Sequence, residues 1–202
     1  MSVLTRLKWH AVFALLCMLA SVIVWANGEG GGAQAPSTPR ETPPELVEFK
    51  KRVDAFAALH KKLEATLPKL SKEATPEQID KNQRALAMLV SQNRAGASQG
   101  DVFTAPGQLY IRALLKRLFA NLDKRKLRES IQDENPDPRS VKLAVNSRYP
   151  DAVPLASMPP EVLQALPPLP DEIEYRFVGD SLILLDPHAH LVVDYIPGAL
   201  PK

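Results

Sequence analysis

The sequence predicts an α+β protein in which N-terminal amphipathic helices precede a small antiparallel β-meander. Three observations carry this expectation. Apolar residues recur at three- and four-residue steps in successive stretches between Leu46 and Leu127, the period of a helical face. Nine prolines then fall between Pro136 and Pro170. They exclude long helices there, because proline fixes φ and biases the residue before it to extended backbone. Residues 174–196 hold three short apolar runs separated by two turn signals, the pattern of three strands. The predicted division is residues 1–26 for export, 27–44 as a flexible linker, 45–134 as a helical region and 135–202 as the proline-bordered meander.

Arg6 and Lys8 precede an uncharged run over residues 9–25. A basic start followed by an apolar run marks a secretory signal peptide, and Val24-Trp-Ala26 offers a small-x-small cleavage site. The run is also long enough to stay as a single membrane anchor. Either way the bulk of the chain is expected outside the inner membrane, in the periplasm or cell envelope. Removing residues 1–26 also removes Cys17, the only cysteine, so the exported part has no disulfide or thiolate metal site. Residues 27–44 are rich in Gly, Ala, Pro, Ser and Thr with almost no apolar bulk, a composition that cannot offset chain entropy.

The helices follow in order. The first is expected from Pro43 and Pro44 to about Leu67, with Leu46, Phe49, Val53, Phe56, His60, Leu63, Leu67 and Leu70 on one face. On that stripe His60 reads as a core or edge histidine. Thr75-Pro-Glu-Gln78 is a capping box with proline in the first turn; it opens a second helix that turns Ile79, Leu86, Leu89 and Val90 inward and ends near Gly96. A third opens at Pro106 and carries Ile111, Leu114, Leu115, Leu118, Leu122 and Leu127 inward. Together they suggest a helical hairpin or bundle.

Beyond Asn135 a short strand is expected over residues 141–145, then one brief helix at residues 160–165. Gly179-Asp180 is a two-residue hairpin turn because Gly supplies positive φ. That turn sets the register: Val178 faces Ser181, Phe177 faces Leu182 and Tyr175 faces Leu184. Ile173, Tyr175, Phe177, Leu182 and Leu184 then share a core face. The other face, with Glu174, Arg176, Ile183 and Leu185, is half apolar, and the helices are its expected cover.

Val145-Asn-Ser-Arg-Tyr-Pro-Asp-Ala-Val-Pro-Leu155, Met158-Pro-Pro, Tyr175-Arg-Phe-Val-Gly179, Leu182-Ile-Leu-Leu-Asp-Pro187 and Leu191-Val-Val-Asp194 together resemble a small exported bacterial domain of unknown function. The C-terminal hairpin pattern is also similar to the RcnB-type periplasmic nickel/cobalt-homeostasis family. Where that family has a Thr-Gly-type turn before its last strand, this chain has Ala189-His190. The resemblance covers residues 140–197 best and implies an architecture rather than an activity.

The sharpest local chemistry is Asp186-Pro-His188-Ala-His190. Imidazole and carboxylate suit Zn, Ni or Co, and an H-x-H pair in extended chain points both rings to one side. Asp186, His188 and His190 are therefore the candidate metal ligands, against the reading that Asp186 caps a turn with both rings exposed beside it. Residues 27–140 carry 19 Lys/Arg and 15 Asp/Glu, whereas residues 141–202 carry 4 and 8. Arg112, Lys116, Arg117, Lys124, Arg125, Lys126 and Arg128 form a basic segment that reads as a solvated face paired with the acidic half, or as a dock for an anionic membrane surface. Without interleaved aromatics it does not suggest nucleic acid. No nucleophile elbow, H-E-x-x-H, phosphate loop or dinucleotide fingerprint is present, and no spacing selects Glu172, Glu174 or Asp194 as an acid–base pair. The expectation is a non-enzymatic exported envelope protein without a cofactor, acting as a binding or structural module toward an envelope protein or membrane surface. The alternative is periplasmic binding or sensing of a divalent metal.

Overall fold

The computed structural model describes residues 43–121, 124–132 and 135–201. The expected export segment and all but the end of the expected linker lie outside the described residues. No helix among the described residues is long and apolar enough to cross a membrane.

Helix α1 spans Pro44–Glu64. Proline in its first turn needs no N–H partner, Glu45 complements the helix N-terminus and Lys61 and Lys62 its C-terminus. Phe49, Val53, Phe56, His60 and Leu63 are buried along one face, while Leu70 of the predicted stripe lies past the helix and is exposed. Helix α2, Pro76–Asn93, begins with the predicted capping box, both Thr75–Gln78 bonds being present. It buries Leu86, Ala87 and Val90, but Ile79 is 40% exposed; the first turn of α2 projects beyond the core. The third predicted helix is two, α3 at Ala105–Asn121 and α4 at Lys124–Gln132, with Leu127 and Ile131 of α4 buried. Helix α5 is Pro160–Ala165, as its proline start predicts.

Strands β1 (Glu174–Val178), β2 (Ser181–Asp186) and β3 (Leu191–Ile196) form an antiparallel meander in the order β1-β2-β3. The register is the predicted one, with Val178 opposite Ser181, Phe177 opposite Leu182 and Tyr175 opposite Leu184. Gly179 adopts φ +59°, which a side chain would strain. Between Leu184 and Leu185 the pairing shifts, leaving Val193 as an extra residue on β3.

Both faces of the sheet are covered, and all six residues of β2 are buried. Tyr175, Phe177, Leu182, Leu184, Val193 and Ile196 join the helical core of Phe49, Val53, Phe56, Leu86, Ile111 and Leu115. Val178, Ile183, Leu185 and Val192 meet Val141 and Tyr149, with Leu143, Val153 and Leu155 at the rim. The sequence expectation for this second face is thus corrected. The helices take the more apolar face, and the proline-rich segment straps the other. The expected strand at residues 141–145 is absent as well. The strap instead reaches β3 later: Asn146 N donates to Val192 O (2.9 Å), Val192 N to Ser147 O (2.9 Å) and Tyr149 N to His190 O (2.8 Å). Asn146 turns through φ +61° to begin this contact, and Pro150, which has no N–H, ends it.

Asp194 ties β3 to the loop before α3. Fully buried, its carboxylate accepts from Gly100 N (3.0 Å), Val102 N (2.8 Å), Phe103 N (2.7 Å) and Tyr195 N (2.8 Å). Phe103, so placed, stacks on Phe49 with ring centroids 5.3 Å apart. Asp194→Asn sets an NH₂ group against some of these donors. It should cost roughly 2–4 kcal/mol, since each bond to a charged acceptor is worth about 1.5–3 kcal/mol. Urea unfolding checks this; an unchanged midpoint would show that the carboxylate does not hold the loop.

Candidate metal centre

His60 stands four positions from the end of α1, on the face turned to the sheet, and its side chain is fully buried. The apolar stripe of α1 brings it there, between Phe56 and Leu63. Facing it is Asp186, the last residue of β2, also fully buried. His60 Nδ1 lies 2.6 Å from Asp186 Oδ2. The other Asp186 oxygen accepts from His188 N (3.0 Å) and Ala189 N (2.8 Å), so the carboxylate also caps the β2–β3 turn. An ionised carboxylate is acceptor-only, so Nδ1 carries the proton toward Asp186 and the lone pair of the neutral ring falls on Nε2.

Nε2 is buried and has no hydrogen-bond partner. It points toward Glu64, one helical turn on, whose Oε2 is 3.5 Å away. Glu64 Oε1 is 3.1 Å from Nδ1 of His188, and the His188 ring meets the His60 ring edge-on with centroids 5.3 Å apart. One ligand atom from each of His60, Glu64 and His188 lies within 4.8 Å of the others. Around a four-coordinate zinc ion with bonds of about 2.0–2.1 Å, neighbouring ligand atoms sit roughly 3.3 Å apart. Glu64 and His188 have 43% and 48% of their side-chain surface exposed, so rotation can close the difference while buried His60 stays fixed. Glu64 also lines an open cleft of about 480 Å³ with Lys61, Leu67 and Lys69, an approach from solvent.

Of the three residues selected from sequence, the structure keeps His188 in this group and places Asp186 behind His60 as an orienting acceptor. His190 goes elsewhere. Residues 187–190 are a turn rather than extended chain, and His190 has φ +53°, so the two rings leave on opposite sides. His190 lies against Tyr149 of the strap, with Nδ1 3.1 Å from Asp151 Oδ1. That carboxylate also accepts from Arg148 (2.7 Å), whose guanidinium reaches Asp80 as well. Sequence reasoning missed His60 and Glu64. Their signal is an H-x-x-x-E spacing at i,i+4, which sets both side chains on one helical face, but their partner His188 lies 124 positions beyond Glu64. Arg112 of the basic segment donates to the carbonyls of Pro197 and Gly198, fastening α3 to the chain after β3.

Burial alone would lower the pKa of His60. The Asp186 hydrogen bond and the charges of Asp186, Glu64 and Glu172 outweigh it, so the net shift is upward from the ordinary value of about 6.5. The stabilisation from the protonated pair is fully present below about pH 6.5 and is lost as pH rises through the raised folded value. In metal-free protein, NMR titration of the His60 ring should have a midpoint above 6.5. Asp186→Asn should bring it down, since burial then acts with less opposition. An unmoved midpoint would show that Asp186 does not hold the ring.

No protein-family model matches the chain, and no curated protein or solved structure is significantly similar to it.

Proposed function

We propose that this chain is an exported envelope protein that binds a divalent transition-metal ion through His60, Glu64 and His188, with Asp186 orienting His60. The observation that carries this reading is the buried Nε2 of His60, which makes no hydrogen bond. A buried polar atom without a partner is costly, and here it faces a carboxylate and a second imidazole. Hydrogen bonding of the far ring nitrogen to a carboxylate is the usual outer-shell arrangement behind a metal-binding histidine, because it fixes the tautomer and raises ligand basicity. Two imidazoles and a carboxylate suit Zn²⁺ and its first-row neighbours Co²⁺ and Ni²⁺ better than Mg²⁺ or Ca²⁺. Export is supported by the basic, then apolar, then small-x-small order of residues 1–26. The role proposed is binding, with no bond-making step assigned to any residue.

Calorimetric titration of the metal-free full chain with Zn²⁺ should give one site of micromolar or tighter affinity. His188→Ala, at a half-exposed turn position, should weaken it by at least about tenfold, whereas His190→Ala should leave it unchanged. No heat with wild type, or equal binding by His188→Ala, would overturn the reading.

A further inference from the structure

A second buried group beside this site also has an atom without a partner. Glu172 lies on the turn before β1, with its side chain 9% exposed. Its Oε1 is 3.1 Å from Lys61 Nζ, and its Oε2 is buried with no hydrogen-bond partner. Lys61 follows His60 in α1 and lines the same cleft as Glu64. Lys61 neighbours His60 in α1, so its partner Glu172 approaches this end of the helix, and the charge of Glu172 makes the smallest of the named contributions to the upward shift of His60. His60 and Glu172 thus share one pattern: each has one polar atom held by a partner and another buried without a hydrogen bond.

We infer that Glu172 is the fourth protein ligand of this metal centre, Lys61 holding Oε1 so that Oε2 turns to the ion. The inference rests on the metal reading above. Glu172 is outside the 4.8 Å group of His60, Glu64 and His188, so binding draws it inward. It stands two residues before the first paired residue of β1, Glu174, and this shift leaves the strand register intact. Two neutral imidazoles and two carboxylates then neutralise a divalent ion. A four-ligand set of this kind fills the position that a catalytic zinc site keeps open for water. It also favours ions that accept tetrahedral geometry, Zn²⁺ and Co²⁺, over Ni²⁺, which prefers square-planar or six-coordinate arrangements.

Co²⁺ titration of the full chain, followed by visible absorption, tests this. Four-coordinate Co²⁺ absorbs strongly in the visible, and five- or six-coordinate Co²⁺ only weakly. Wild type should develop the intense bands. Glu172→Gln should still bind Co²⁺ through the other three ligands, about 10- to 100-fold more weakly, with the bands reduced as water enters. Lys61→Met, at an exposed position, should reduce them less, which guards against a folding defect in Glu172→Gln. An unchanged spectrum in Glu172→Gln, whatever its affinity, would show that Glu172 acts by charge alone and would overturn the inference, as would weak bands in wild type. Failure of the underlying metal reading looks different: wild type then takes up no Co²⁺, or His188→Ala binds it equally well.

Discussion

The buried contact between His60 and Asp186 is the constraint on which the rest of the structure depends. It joins the last turn of α1 to the end of β2 across 126 positions of sequence, in surroundings where an isolated charge would be prohibitive. The pair is tolerable because Asp186 is fully engaged, with His60 on one oxygen and two turn amides on the other. The same contact orients the imidazole. With Nδ1 committed to Asp186, Nε2 is left to face Glu64 and His188. The turn that Asp186 caps carries His188 to the helix side. One carboxylate therefore shapes the turn, locks the ring and aims its free nitrogen.

That pair is possible because Asp186 lies on the same face of β2 as Leu182 and Leu184, the face the helices cover. With that face in water Asp186 would be an ordinary surface residue. The helices that bury it also deliver His60. The proline-rich strap covers the opposite face, setting Val141 and Tyr149 on Ile183, Leu185 and Val192. Asp194 plays a parallel structural part further along β3, gathering backbone amides of the loop that leads into α3. Of the two buried aspartates in the meander, one spends its acceptors on backbone alone, and the other shares them with a histidine whose second nitrogen is left over.

Local chemistry made much of the fold legible in the sequence. The Thr75–Gln78 capping box, the proline start of α5 and the Gly179-Asp180 turn each act within a few residues, so helix starts and strand register could be read directly. Burial partners are long-range and could not. Val141, Leu143 and Val145 alternate like a strand, yet the strap pairs with β3 only after the left-handed turn at Asn146. In extended chain the H-x-H pair would be a ligand pair. The positive φ of His190 divides it, one ring to α1 and one to the strap. The apolar stripe marks His60 as a core histidine, and by burial it is one. Its chemical interest comes from a neighbour that only the tertiary structure supplies.

The central claim is that His60 is a metal ligand held by Asp186. It is tested most directly by anomalous diffraction at the zinc edge from crystals of zinc-loaded full-length protein. The account predicts a strong anomalous peak about 2.0–2.1 Å from Nε2 of His60, bonded also to Glu64 and His188, with Asp186 still on Nδ1. A peak at His190 and Asp151 instead, or none at His60, would contradict it.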